Sequence, residues 1–213
     1  ITHGNRPKAG KRLSDLSTFN YQLSIIQLNS DVQIHLLETE RLVIRELDAE
    51  RDAAFILDLL NQPSFIKNIG DRGVRTVDES RDFIENRYRQ SYRDHGYGLY
   101  SVELKSQIPN PESQIGICGF VRRPGLDGPD IGFAFLPQFE RQGFALESAT
   151  AMMRYGAQVL GFTRVFAITT LDNAGSIRLL EKLGFEFEKI VTMGESDEKL
   201  RLFSNQMVSD PDR

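Results

Sequence analysis

The feature that most constrains the fold is a strand, helix and second strand in immediate succession in the second half of the chain. Residues 131–136 alternate as a strand does, and Pro137 ends that strand. A helical pattern then runs over residues 145–160, Gly161 ends it, and a strand follows at residues 164–170. Two strands joined by a helix pack in parallel with a right-handed crossover. The chain is therefore expected to contain a βαβ unit.

Strand and helix signals on both sides of this unit predict an α/β fold with one mixed sheet. We expect Asp48 to cap a helix that Pro63 ends. Thr76 and Glu79 are spaced as a capping box, so a second helix should begin there and stop at Gly96. The other predicted elements are a helix at residues 174–183 and strands at residues 42–47, 98–106, 114–122, 185–191 and 199–204. The order β-α-α-β-β-β-α-β-α-β-β places helices on both faces of the sheet.

The charge distribution argues against nucleic acid as a partner. The chain has 213 residues, of which 26 are basic and 30 acidic, and a formal net charge of −4. The four charged residues before Asp15 are all basic, so the remaining 22 basic and 30 acidic residues carry −8. Nucleic-acid binding needs a basic surface, whereas an acidic body favours a cationic ligand such as an amine.

Cysteine content and hydropathy exclude two further classes of protein. The single cysteine, Cys118, excludes an intramolecular disulfide framework and a cysteine-cluster zinc site, and it suggests a reducing compartment such as the cytoplasm. No apolar run approaches the roughly 20 residues that span a bilayer, so we expect no membrane partner.

The amino-terminal segment differs in composition from the rest of the chain. Residues 1–35 are expected to be a poorly ordered or accessory extension, residues 36–205 the folded domain, and residues 206–213 a tail. The segment begins with Ile1 and is basic and acid-poor, so a processed end and a transit peptide are both open interpretations. The apolar run at residues 21–28 is compatible with an extra strand or helix.

The turn after the strand at residues 131–136 is the first candidate binding feature. It reads Pro-Gln-Phe-Glu-Arg-Gln-Gly-Phe-Ala from Pro137 to Ala145 and leads into a long helix. Such a turn directs free amides toward one point at the positive end of the helix dipole, where phosphate and pyrophosphate bind. Gly143 allows a ligand to approach the backbone closely, although an ordinary turn that needs a glycine also explains the stretch. The P-loop ending and the dinucleotide glycine repeat are both missing.

A second motif follows the turn at a characteristic distance. It reads Leu-Asp-Asn-Ala-Gly-Ser-Ile at residues 171–177 and Glu-Lys-Leu-Gly-Phe at residues 181–185. Together the two motifs resemble the GNAT superfamily of acetyl-coenzyme A-dependent N-acyltransferases, and within it the branch of the ribosomal-protein alanine N-acetyltransferases. The stretch Leu-Glu-Thr-Glu-Arg-Leu-Val-Ile-Arg at residues 37–45 is also typical of that branch. The resemblance covers about residues 37–203.

The resemblance implies the GNAT fold and a binding site for acetyl-CoA without a metal. Backbone amides of the turn should wrap the pyrophosphate, and the residues concerned are Arg141, Gln142, Gly143, Phe144 and Ala145. The family usually has glycine where Arg141 stands, and often arginine or glutamine where Glu140 stands. The strand should part from its neighbour and offer main-chain groups of Phe133 and Phe135 to the pantetheine arm. Asn173 is expected to hydrogen-bond the same arm.

The resemblance also implies direct attack of an amine on the acetyl thioester, which needs an acid and, in some cases, a base. Many family members use as the acid a tyrosine that stands seven residues after the motif asparagine, and this chain has Leu180 there. Ser176 is the substitute that the ribosomal-protein branch suggests, although it can equally be a helix-start serine that satisfies an amide. Asp130, which we place just before the strand, is the candidate base or else a turn residue.

The function expected from these features is transfer of an acetyl group from acetyl-CoA to a primary amine, such as a protein amino terminus or a small amine. The alternatives are a coenzyme A-binding module with little or no turnover, which the missing tyrosine supports, and a regulatory partner surface. The acceptor is not identified by the sequence, and a homodimer is left open.

Overall fold

The computed structural model describes residues 25–28, 31–108, 110, 113–193 and 197–207, and it describes side chains from Leu36 onward. Nine strands form one sheet in the order β1-β2-β3-β4-β5-β6-β7-β9-β8. In chain order they are β1 Ile25–Leu28, β2 Asp31–Glu38, β3 Leu42–Arg45, β4 Leu99–Leu104, β5 Gln114–Arg122, β6 Pro129–Phe135, β7 Arg164–Thr170, β8 Glu186–Thr192 and β9 Lys199–Gln206.

The strands β6 and β7 form the one parallel pair of this sheet. Every other pair of neighbours in the order runs antiparallel, including β4 with β5 as the sequence predicts. The parallel register consists of a single Cα pair, Asp130 with Phe166, whereas β5 and β6 pair along the whole of β6. The predicted βαβ unit is therefore present, and its two strands diverge beyond their first contact.

Helices cover both faces of the sheet, which confirms the predicted architecture. They are α1 Ala53–Asn61, α2 Pro63–Ile69, α3 Val77–Phe83, α4 Gln90–His95, α5 Phe144–Gln158 and α6 Ala174–Lys182. Met152 of α5 and Leu180 of α6 belong to one buried cluster, together with Tyr100 of β4. Ile56 of α1 and Ile117 of β5 belong to a second buried cluster. We call these sides the α5–α6 face and the α1–α3 face.

The first helix begins later than predicted. The carboxylate of Asp48 accepts hydrogen bonds from the amides of Glu50 and Arg51, at 3.0 and 2.9 Å, so it caps a single turn. The helix α1 itself starts at Ala53. Pro63 follows its end as predicted but also begins α2, because proline fits the first helical position, where no amide donor is required.

The capping box is confirmed, and the helix that it opens contains an irregularity. Thr76 accepts a hydrogen bond from the amide of Glu79, and the carboxylate of Glu79 accepts one from the amide of Thr76. Helical structure then continues to His95, and Gly96 ends it in the left-handed conformation. A π-helical segment, Ile84–Arg89, joins α3 to α4. Such segments are frequent at functional sites.

The sheet extends upstream of the domain boundary that we expected at residue 35. The strand β2 crosses this boundary, and β1 pairs with it over residues 25–28. The part of the expected apolar run at residues 25–28 is therefore a strand. Residues 1–24, where the transit-peptide interpretation applies, and most of the expected tail lie outside the described residues.

A buried network of charges joins three strands to α1. Arg45 donates to both oxygens of Asp52, at 2.7 and 2.6 Å, and to Glu103 Oε1 at 2.7 Å. The side chain of Arg45 is 3% exposed, and those of Asp52 and Glu103 are 0% exposed. Gln114 and Arg51 complete the network, each donating at 2.9 Å. Burying these charges is tolerable only because each has a hydrogen-bonded partner of opposite charge.

Arg45→Met should lower the free energy of unfolding by about 3–5 kcal/mol, because it leaves two buried carboxylates without their main cation. Urea denaturation of the purified variant measures this loss. The control is Lys105→Met, which removes an ion pair with Glu38 at 2.9 Å whose side chains are more than a third exposed. It should cost less than about 1 kcal/mol. Equal losses in the two variants would contradict the importance of the network.

Candidate functional site

The divergence of β6 from β7 leaves an open strand edge in the middle of the sheet. Beyond the Asp130–Phe166 pair, no strand pairs with the β7-facing edge of β6 among the described elements. Phe133 is half-buried there and Phe135 is 8% exposed, and both pack into the cluster on the α5–α6 face. An unpaired edge presents amide donors and carbonyl acceptors that an extended ligand can use as a strand would.

The loop that follows β6 contains two residues in the left-handed conformation. Gly143, the residue before α5, has φ of 85°, and Arg141 has φ of 59°. Arg141 is the one non-glycine residue with positive φ in the described part of the chain. This conformation costs most residues about 1–2 kcal/mol, which is a physical reason for the glycine that the family resemblance leads us to expect at the position of Arg141.

The amides of this loop and of the first turn of α5 are free of protein partners. Within the described structure, no hydrogen bond is made by the amides of residues 141–146, and the first intrahelical donor is Glu147, which bonds Gly143 O at 3.0 Å. The helix has 15 residues, so its dipole adds positive potential at this end. Free amides at a helix amino terminus bind anions. Glu140, whose charge opposes such binding, is exposed at the start of the loop.

Arg41 fixes residues 141–146, which we call the amide-rich loop, to the rest of the sheet. Its guanidinium donates to Glu147 Oε2 at 2.6 Å and to the carbonyl of Gln142 at 3.1 Å, and it lies 4.4 Å from the ring centre of Phe144. The Thr39 hydroxyl donates to Glu147 Oε1 at 2.5 Å. Burial alone would raise the pKa of Glu147, but the hydrogen bonds from Thr39 and Arg41 hold it below its ordinary value.

Sequence reasoning assigned Arg41 no role and did not foresee its contact with Glu147. The two residues stand 106 positions apart, and neither belongs to a charge pattern within its own element. Both fall inside stretches typical of the GNAT family, which is the one signal that the sequence offered. Thr169 of β7 was also missed, and its buried hydroxyl has no hydrogen-bond partner in the described structure.

Asn173 and Ser176 lie together at the start of α6, across the open edge from β6. Asn173 is the residue before the helix, and its Oδ1 accepts the amide of Ser176 at 3.0 Å. The helix start is thus capped by Asn173 and not by the hydroxyl of Ser176, which is half-buried. The amide group of Asn173 remains to donate to a ligand. Leu180 is 1% exposed and belongs to the core.

Asp130 does not precede the strand as we expected from the sequence. It is the second residue of β6, at the point where β6 and β7 part, because its backbone pairs with Val121 and Phe166 and not with a turn. The side chain is 1% exposed, and burial raises its pKa to about 6 although an ion pair with Arg123 opposes the increase. Its Oδ1 has no hydrogen-bond partner in the described structure.

The residues that the structure describes contain no group of three or more His, Cys, Asp or Glu side chains that could hold a metal ion. Among the same residues, no helix is both long enough and apolar enough to cross a membrane.

Comparison with known proteins identifies the family. Residues 41–186 match the family described as acetyltransferase (GNAT) domain. The N-acetyltransferase YoaA of Bacillus subtilis is 26% identical over 157 residues, which cover 73% of this chain and 85% of YoaA.

Solved structures of acetyltransferases share the fold. A GNAT-family acetyltransferase from Bordetella pertussis superposes with a TM-score of 0.63 at 24% identity, covering 79% of this chain and 97% of that one. The ribosomal-protein α-N-acetyltransferase RimL, in complex with coenzyme A, superposes with a TM-score of 0.67 at 16% identity. The superposition covers 81% of this chain and 97% of RimL. The matched family residues extend over more than half of the chain, and the protein therefore belongs to the GNAT family of acetyltransferases.

Proposed function

We propose that this protein transfers an acetyl group from acetyl-CoA to a primary amine by direct attack of the amine on the thioester. The observation that carries the proposal is the position of the amide-rich loop, residues 141–146, at the mouth of the gap between β6 and β7. A pyrophosphate bound to the loop would lead an extended pantetheine arm into the gap. The unpaired edge of β6 would then bind that arm through its main chain.

In this proposal the cofactor is bound mainly by backbone groups. The free amides of the loop hold the pyrophosphate oxygens, and Arg41 keeps the carbonyl of Gln142 turned away from them. Main-chain groups of Phe133 and Phe135 bond the pantetheine amides, and the side-chain amide of Asn173 donates to the same arm. Backbone donors need little reorganisation when the ligand arrives, so they favour a fixed cofactor position.

The transfer step requires proton movements at two atoms. A bond forms between the amine nitrogen and the acetyl carbon, and the carbon–sulfur bond breaks. The amine loses a proton to Asp130, directly or through water, and the departing sulfur gains a proton from the Ser176 hydroxyl. The Ser176 oxygen then regains a proton through solvent as Asp130 releases the one it accepted, so both side chains return to their starting state. Because the pKa of Asp130 is raised to about 6, its carboxylate is ionised at neutral pH and basic enough to accept a proton.

The second candidate is a coenzyme A-binding module with little turnover. Leu180 supports this alternative, because it stands where many family members have the tyrosine acid. Its side chain is buried in the core and cannot donate a proton. The two functions share the cofactor site and differ in turnover. Release of free thiol from acetyl-CoA in the presence of a panel of amines, compared with coenzyme A binding alone, separates them.

Gly143→Asp should abolish coenzyme A binding, because a side chain at φ of 85° is strained and a carboxylate beside the free amides repels phosphate. A Cβ at this position also meets Arg41 Nη2 at 3.3 Å. Isothermal titration calorimetry with coenzyme A measures the effect. The control is Gly161→Asp, at the other end of α5, where φ is 69° and a Cβ meets nothing within 4 Å. Unchanged affinity in Gly143→Asp would contradict the assigned phosphate site.

Ser176→Ala should lower kcat by about 100-fold or more if the hydroxyl protonates the leaving sulfur. The affinity for coenzyme A should stay unchanged, since Asn173 supplies the helix cap. Steady-state kinetics and calorimetry on the same preparation measure the two quantities. An unchanged kcat would remove Ser176 from the mechanism.

Asp130→Asn should abolish an acidic limb near pH 6 in the profile of kcat/KM, because the variant lacks a group that ionises there. It should also raise the free energy of unfolding at pH 7.5 by on the order of 3 kcal/mol, since ionising the buried carboxylate disfavours the folded state.

The stability difference has a defined pH window. The ordinary pKa of 3.8 is raised to about 6 on folding, so the stability of the unsubstituted protein falls as pH rises through this interval, and the variant escapes the decrease. Thermal unfolding of both proteins at pH 4, 5, 6 and 7.5 measures this stability difference. The control Asp127→Asn, at an exposed position, should change neither the acidic limb of the kcat/KM profile nor the free energy of unfolding. A pH profile unaltered by Asp130→Asn would show that Asp130 is not the base.

A further inference from the structure

The charges around Asp130 are opposite in sign to the charge of the whole chain. On the α1–α3 face, Arg72 interacts electrostatically with Arg87, Arg123 and the phenol of Tyr88. Arg123 forms an ion pair with Asp130, so its charge is compensated. In the described part of the chain, neither Arg72 nor Arg87 has an ion-pair partner, whereas the neighbouring Arg89 and Arg93 both bond Glu85.

The two uncompensated arginines lie on the same side of the sheet as Asp130. Residues of a strand alternate between faces, so Asp130 shares its face of β6 with Ala134, which packs into the cluster of Tyr88 and Leu136. Arg87 precedes Tyr88 in the π-helical segment, and Arg72 stands in the loop between α2 and α3.

The helix α2 reaches across the open edge on the same face. Its Lys67 forms an ion pair at 3.2 Å with Asp172, in the turn between β7 and α6. The helix α2 is therefore held beside the turn between β7 and α6 on one side of the sheet, while α5 and α6 lie on the other. An acceptor that binds on the α1–α3 face beside Arg123, the ion-pair partner of Asp130, would also meet Arg72, which interacts with both Arg123 and Arg87.

We propose, on the basis of the proposed acetyl transfer, that the acceptor amine carries an anionic group, a carboxylate or a phosphate, and that Arg72 and Arg87 bind it. Two guanidinium groups without acidic partners repel one another, and an anion placed between them removes that repulsion while accepting charge-assisted hydrogen bonds. Asp130, whose buried Oδ1 has no hydrogen-bond partner in the described structure, would accept the proton of the reacting amine in this arrangement.

This local charge argues against the cationic acceptor that we expected from the net charge of −8 beyond the amino-terminal segment. Attraction between charges is screened beyond about 10 Å, so the few residues that line the acceptor side decide the sign of the ligand. A polyamine would bring several positive charges toward uncompensated arginines and is therefore disfavoured as acceptor.

Kinetics with matched amine pairs test the proposal. The pairs are β-alanine with propylamine, phosphoethanolamine with ethanolamine, and a short peptide with two acidic residues after its amino terminus with its amide counterpart. The first two pairs test small amines and the third tests a peptide terminus. The anionic member of at least one pair should have the higher kcat/KM. Arg72→Gln and Arg87→Gln should each lower that value by about 10-fold or more and change the neutral member less than about 2-fold.

Arg122→Gln is the matched control variant. Arg122 is exposed and adjacent to Arg123, but it interacts electrostatically with Tyr97 and not with Arg72. It should leave all six kcat/KM values unchanged. Arg72 and Arg87 are themselves exposed, so their substitution should not prevent folding. Equal rates for both members of every pair, or losses that are the same for neutral and anionic amines, would overturn the proposal.

Binding of inorganic phosphate gives a readout that does not depend on turnover. With coenzyme A saturating the amide-rich loop, the unsubstituted protein should bind phosphate, and the Arg72→Gln/Arg87→Gln double variant should bind it at least about 10-fold more weakly. Equal phosphate affinity in the two proteins overturns the anionic-acceptor proposal even if no amine in the panel is acetylated. Failure of coenzyme A itself to bind refutes the proposed function instead, so the two failures are distinguishable.

Discussion

The parting of β6 from β7 is the constraint on which the rest of the site depends. The two strands share one Cα pair and then separate, so that the edge of β6 is left without a strand partner in the interior of a sheet. Unpaired backbone groups away from water are costly, and a ligand or solvent has to satisfy them. Because β6 runs directly into the loop before α5, the same parting brings the free amides of that loop to the mouth of the gap. The unpaired edge of β6 and the free amides at the start of α5 therefore both result from the separation of β6 from β7.

Two arginines near β3 hold the frame around this gap. Arg45 joins β3 to β4 and α1 through buried carboxylates, and Arg41 joins the β2–β3 turn to the first turn of α5 through Glu147. The first contact stabilises the fold as a whole, since its charges are fully removed from water. The second keeps the loop before α5 in a conformation that a glycine would adopt more readily than Arg141 does. A fixed loop presents its amides to an anion without reorganisation.

The distribution of charge matters more than its total. An overall charge of −4 coexists with a group of arginines on the side where the acceptor would enter, because folding brings together side chains from the α2–α3 loop, the π-helical segment and the end of β5. The buried Asp130 pairs with Arg123, and within the described part of the chain Arg72 and Arg87 form no ion pair. The net charge therefore does not describe the charge of the residues around Asp130.

Local rules in the sequence determined the order of the elements, the βαβ unit, the capping box at Thr76 and Glu79, the glycine before α5 and the resemblance to the GNAT family. Each of these depends on residues within a few positions of one another, where period, cap and turn preferences act. The tertiary structure alone decided that Arg41 contacts Glu147, that Asp130 is buried inside a strand, and that Arg72 lies near Arg123. These arrangements join residues separated by several elements of the chain, and no local preference specifies them, because they form only when the sheet and its helices have packed.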